Sequence, residues 1–205
     1  MQVNELPIEG AVEFVPAIMT DDRGTFLETF RGNDFVDAVG HSLNLAQANC
    51  SISRRGVIRG VHYSDVPPGQ AKYVTCVSGE VLDVIVDIRV GSPTFGGWTS
   101  VTLNDVQRRA VYIAEGLGHA FMALSESATV VYLCSTPYRP GAEHGVNPLD
   151  PKLAIEWPTQ EELVLSDKDR TALSLADARD QGLLPHYKTS RDYVASLSTK
   201  AGRPD

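Results

Sequence analysis

The chain has 205 residues, 42% of them apolar and 21% charged, the balance of an ordinary globule able to bury one core. Its formal net charge of −8 excludes the basic surface on which non-specific nucleic-acid binding depends. Three cysteines, Cys50, Cys76 and Cys134, are odd in number and widely spaced, which excludes a disulfide framework and a zinc pattern.

Those cysteines sit in strand-like segments and are expected to be small buried hydrophobes in a reducing compartment. Glu5, Glu9 and Glu13 occupy the region where a signal peptide needs positive charge, and no apolar run approaches membrane-spanning length. The expected location is therefore cytoplasmic, with no membrane partner. Ala11–Val15 and Gly24–Thr29 have the pattern of short strands joined by a turn at residues 20–24. Phe35–Val39 is expected as a helical turn ended by Gly40, and Ala46–Ser53 as a strand with Gln47 and Asn49 on one face. The stretch Gly56–Tyr63 predicts a strand in which Ile58, Gly60 and His62 share a face, so that His62 points inward with Ile58. Pro67–Gly69 turns the chain, and Lys72 opens the next strand, Lys72–Ser78. Glu80–Arg89 alternates Asp83, Ile85 and Asp87 against Val84, Val86 and Ile88, again a strand pattern. After the turn cluster Gly91–Gly97, further strands are expected at Trp98–Leu103, Ala110–Ile113, His119–Leu124 and Ala128–Ser135. Thr171–Gln181, followed by Gly182, predicts a helix. About ten short strands at regular spacing give a sandwich or barrel, here one domain with a core over 5–158 and a helical tail over 159–205.

An imidazole at His62, an ammonium at Lys72 and a second imidazole at His119 supply the material for proton chemistry inside such a core. Each also has a plainer reading. His62 can be a buried, hydrogen-bonded structural histidine, Tyr132 a core tyrosine, and Asp169 a solvated helix cap. A metal is not expected, because Ser64 stands where a second histidine of a His-x-His pair would lie and the His119 strand offers no other ligand.

Taken together, the sequence resembles a known family. Arg-Gly-Val-His at 59–62, Lys72, Val-Asp-Ile-Arg-x-Gly-Ser-Pro-Thr-Phe-Gly at 86–96 and Gly-His-x-Phe at 118–121 carry the resemblance, with Tyr132, Tyr138, Glu143, Asp150-Pro151 and Ser-Asp-Lys-Asp at 166–169. They are similar, in order from about residue 5 to 185, to the dTDP-4-dehydrorhamnose 3,5-epimerases and their relatives in antibiotic deoxysugar pathways. The resemblance implies a mainly β, cupin-type jelly roll, free of metal and cofactor, working as a homodimer whose N-terminal strands cross to the neighbouring subunit. It implies His62 as catalytic base supported by Asp169, Tyr132 as proton donor, and Lys72 and His119 beside the sugar carbonyl. Arg23, Glu28, Gln47, Asn49, Arg59, Glu143 and Lys168 are implied to contact the nucleotide-sugar, and Phe26 and Tyr138 to lie near the base. The implied reaction converts dTDP-4-keto-6-deoxy-D-glucose to dTDP-4-keto-L-rhamnose by inversion at C3 and C5. A single-centre epimerase is the alternative, and a silent sugar-nucleotide-binding cupin is a rival from another class. The chain departs from the family pattern at Ser64, at Ala120 and in the split run Asn147-Pro148-Leu149-Asp150-Pro151. All three sites are expected to line or border the sugar pocket.

Overall fold

The computed structural model describes residues 1–158 and 162–200; the expected start of the helical tail at 159–161 and its end at 201–205 lie outside them. Strands β1 (Gln2–Glu5), β2 (Ala11–Val15), β5 (Gln47–Arg54), β7 (Lys72–Ser78), β10 (Ala110–Ile113) and β12 (Ser127–Cys134) form one sheet in the order β1-β2-β10-β7-β12-β5. Strands β6 (Ile58–Ser64), β8 (Glu80–Val86), β9 (Trp98–Asn104), β11 (Gly118–Ala123) and β13 (Glu143–Gly145) form the second, in the order β13-β6-β11-β8-β9. All pairings within both sheets are antiparallel, and the two faces close on each other as the expected mainly β, jelly-roll sandwich. A separate hairpin of β3 (Ile18–Asp21) and β4 (Gly24–Leu27) projects from the body with nearly every residue exposed.

Strand alternation divides the apolar residues into two cores. Val74, Cys76, Val111 and Val130 from the first sheet meet Val81, Ile85, Leu103 and Phe121 from the second. The opposite parity of the second sheet, with Val84, Val86, Ala120 and Met122, packs outward against Leu153, Trp157, Leu165, Leu175, Ala178 and Leu184 of the C-terminal segment. The outer face of the first sheet is closed by aromatic packing. Phe35 of α1 (Gly32–Val39) meets Tyr112 edge-on at 5.0 Å and Phe30 meets Tyr73 at 5.1 Å. Gly40 ends α1 in the left-handed conformation, as expected of a helix stop.

Three expectations about the fold need correction. Ile58 pairs with Met122 and lies with Val61 and Tyr63 in the outer core, whereas Arg59 and His62 pair with Phe121 and His119 on the inward side of β11, so His62 does not share the face of Ile58. The cause is a register shift in the β6–β11 pairing, which skips one residue between His62 and Arg59 and reverses the parity at Gly60. The helix expected over 171–181 is confined to α3 (Leu175–Asp180), because Leu173 is drawn into a parallel bridge with Val146. Two further helices, α2 (Asp167–Arg170) and α4 (Tyr187–Lys200), complete the described C-terminal segment. Finally, Cys50 is exposed, since it falls on the outward parity of edge strand β5; Cys76 and Cys134 are buried as expected.

Candidate active site

His62 on β6 and His119 on β11 stand opposite each other in register, and each ring is held by its own carboxylate. His62 Nε2 donates to Asp169 Oδ1 at 2.6 Å, and His119 Nε2 donates to Asp83 Oδ2 at 2.8 Å. With Nε2 committed to Asp169, Nδ1 of His62 has no partner among the described residues and keeps its lone pair. Gly60 makes this geometry possible. Its φ is +122°, and a Cβ there would lie 2.4 Å from the His119 carbonyl oxygen, so any side chain would push the two histidine strands apart.

Asp169 reaches His62 from α2, a one-turn helix whose N-cap Ser166 accepts the Asp169 N–H at 3.1 Å. Burial works to raise the Asp169 pKa. Hydrogen bonds from His62, Ser166 and the Gly60 N–H, with the His62 charge, outweigh it and hold the carboxyl below its usual value. The side chain is only 6% exposed, against 35% for His62, so the imidazole is reachable while its carboxylate is not.

The facing wall comes from the first sheet. Lys72 at the start of β7 pairs in register with Cys134 of β12, and its ammonium has no hydrogen-bond or ion-pair partner among the described residues. Burial lowers its pKa, opposed by nearby Cys134, Glu143 and Asp83. Tyr132 shares the inward parity of Val130 and Cys134 and is half-buried; burial raises its phenol further above the ordinary value, with Arg59 opposing. On β5, Gln47 and Asn49 share the inward face as expected. The Tyr138 N–H donates to Gln47 Oε1 at 2.8 Å, Gln47 Nε2 to Asn49 Oδ1 at 2.8 Å, and Asn49 Nδ2 to Cys134 Sγ at 3.6 Å. Arg59, Glu143 and Lys168 line an open cleft of about 410 Å³ beside His62 and Asp169, and Arg59 Nε donates to Ser53 Oγ at 3.0 Å.

Not every expected residue gathers here. Arg23, Phe26 and Glu28 belong to the projecting hairpin and its exit, and none lines the His62 cleft within one chain. Arg23 is bound to Asp21, Phe26 is 64% exposed and Glu28 lies 3.6 Å from Arg31. Tyr138 is also largely exposed, joined to the site through its backbone. Ala120 does not border the pocket. It packs in the outer core, because His119 and Phe121 take the inward positions of β11. Asp83 was missed by the reading of the sequence, although the signal was present: an acidic residue at the same parity as Val81 and Ile85 must be buried and needs a partner. Among the described residues no three His, Cys, Asp or Glu side chains group as metal ligands.

Chemically, the site offers a carboxylate-backed imidazole on one wall and an ammonium with a phenol on the other. It can take a proton from carbon on one side, hold a developing oxyanion, and return a proton from the opposite side.

Comparison with known proteins follows the same line. A family model for dTDP-4-dehydrorhamnose 3,5-epimerase matches residues 5–177. The chain is 55% identical over 197 residues to the dTDP-4-dehydrorhamnose 3,5-epimerase of Mycolicibacterium smegmatis, covering 96% of this chain and 97% of that one. It is 58% identical over 189 residues to the dTDP-4-dehydrorhamnose 3-epimerase of Streptomyces niveus, covering 92% and 91%. Among solved structures, the Mycobacterium tuberculosis RmlC epimerase superposes with a TM-score of 0.94 at 48% identity, covering 96% of this chain and all of that one.

Proposed function

Because this chain belongs to the dTDP-4-dehydrorhamnose 3,5-epimerase family, and so is a carbohydrate epimerase, we propose that it inverts C3 and C5 of dTDP-4-keto-6-deoxy-D-glucose to give dTDP-4-keto-L-rhamnose. The observation that carries this reading is the His62–Asp169 pair on one wall of the sandwich with Lys72 and Tyr132 on the other. A 4-keto group acidifies the hydrogens on C3 and C5, but the carbanion is reachable only if its charge moves onto the carbonyl oxygen. His62 takes the proton through Nδ1, and Asp169 stabilises the imidazolium that forms. Lys72, with His119 fixed by Asp83, holds the enolate oxygen. Tyr132 returns a proton from the opposite face; its raised pKa suits a phenol that stays protonated until asked to donate. No step calls on a metal or an organic cofactor.

Arg59, Lys168 and Glu143 line the approach to this chemistry and suit a nucleoside-diphosphate ligand. Arg23, Phe26 and Glu28 lie too far out to serve their own chain, and we assign them to the site of a second copy in a homodimer, the hairpin crossing between subunits. A second reading also has support, since a relative named as a 3-epimerase is as similar to this chain as one named as a 3,5-epimerase. Incubation in deuterated water with NMR of the product separates the two. Deuterium at C3 and C5 is expected; label at one carbon overturns double inversion, and label at neither overturns the epimerase reading.

A further inference from the structure

The split run at 147–151 has no part in the chemistry above, yet it carries the segment that delivers Asp169. That segment, residues 162–175, crosses the edge of the second sheet and is fastened at both ends. Upstream, Val164 bridges Val57 in parallel, with Ile58 N–H donating to Val164 O and Val164 N–H to Gly56 O, both at 2.9 Å. Downstream, its hydrogen bonds to other segments run to residues 146–150 among the described residues. Val146 bridges Leu173, the Asn147 N–H donates to Leu173 O at 2.8 Å, and Asn147 Nδ2 donates to the last carbonyl of α2, Arg170 O, at 3.4 Å. Asp150, 5% exposed, spends both oxygens on backbone donors: Oδ1 takes the Lys152 N–H at 2.9 Å and Oδ2 the Leu175 N–H at 2.8 Å. The run 146–150 follows directly on Gly145, whose register partner is His62 and at which an added Cβ would lie 3.7 Å from His62 Cδ2.

We propose that Asn147 and Asp150 are positioning residues for the catalytic pair, locking the 162–175 segment to the strand beside His62 so that Asp169 meets Nε2. They act through Asp169 and touch no substrate. This gives the run a part although it does not line the sugar cleft: Asn147 and Asp150 grip the backbone that links the end of α2 to the start of α3, with Trp157 Nε1 donating to Pro148 O at 2.9 Å.

The test rests on the proposed base role of His62 for its kinetic arm and is independent of it for its spectroscopic arm. In the free, full-length protein the hydrogen-bonded Nε2 proton of His62 gives a downfield ¹H resonance, assigned by its loss in Asp169→Asn. Asn147→Ala is expected to broaden or abolish that resonance in a folded protein and to slow solvent exchange into dTDP-4-keto-6-deoxy-D-glucose by roughly 10- to 100-fold, as small misplacements of catalytic groups do. In the Asp169→Asn background the same substitution should cost less than about twofold more, since both changes break one linkage. Asp150→Asn, which can accept only one of the two N–H groups, should act in the same direction; if it fails to fold, Asn147→Ala decides alone. An intact resonance, or losses that simply multiply in the double variant, overturns the proposal. A lost resonance in a protein whose parent shows no exchange leaves the positioning intact and removes the epimerase reading instead.

Discussion

At the scale of single residues, function depends on which nitrogen and which face each group presents. Of the two imidazoles anchored by a buried carboxylate, His62 is the reachable one, 35% exposed against 9% for His119, and alanine at 62 removes it. His62→Ala should reduce solvent exchange at the reacting carbons by about 10²–10⁴-fold or more while leaving nucleotide affinity close to that of the parent. Exchange near the parental rate would assign the base elsewhere; isothermal titration with dTDP checks the binding half. Gly60 is the structural counterpart. A methyl group there would sit 2.4 Å from one backbone oxygen and 2.6 Å from the Ala120 Cα, at a φ that side chains rarely adopt. Gly60→Ala should therefore destabilise the fold by about 3 kcal/mol or more, read by denaturant titration, and a loss under about 1 kcal/mol would mean the two strands can part without penalty.

At the scale of elements, α2 is a single turn that keeps its carboxylate ionised in a nearly dry setting, and that has a pH signature. The folded-state pKa of Asp169 is lowered, so its ionised form stabilises the fold. The contribution is complete above the unfolded value of about 3.9 and drains away as pH falls through the lower folded value. The stability gap between the parent and Asp169→Asn should narrow as pH falls below about 4; a gap that widens on acidification through that range would contradict the ionised assignment. The same element shows what the sequence discloses and what it withholds. Strand β7 falls at Lys72–Ser78, the expected bounds, and the two faces of β8 separate as its alternation requires, because period-two burial is local information. The reversal within β6 is not local: it depends on the His119 carbonyl approaching Gly60 from another strand. Helix α4 is likewise set by tertiary contacts. Tyr187 lies between Arg89 and Arg191 with its hydroxyl on Glu9, and Ser190 fills the space left by Gly116. Among site residues, strand parity put Gln47 and Asn49 on one face, whereas the roles of Lys72 and Tyr132, and Asp169 as partner of His62 from 107 residues away along the chain, came from family resemblance.

At the scale of the whole molecule, the sandwich places His62 and Tyr132 on separate sheets, and the hairpin β3–β4 carries Arg23 and Phe26 away from the His62 cleft of their own chain. If a second copy receives that hairpin, two inactive variants should rescue each other. Arg23→Ala and His62→Ala, each separately impaired, should on mixing and reassociation regain about a quarter of parental activity, because half the dimers then hold one intact site. No recovery would place Arg23 outside the shared site. The two carboxylates that hold the imidazoles have unlike origins: Asp83 is woven into the middle of a sheet, whereas Asp169 arrives on a segment laid over the sheet edge. The anchor of His62 is thus detachable in a way that the anchor of His119 is not. A descendant that replaced Asp169 alone, with Val164, Leu165, Ser166 and Lys168 still in the cleft wall, would keep its cleft and the inner Asp83–His119 couple while losing the anchor of His62.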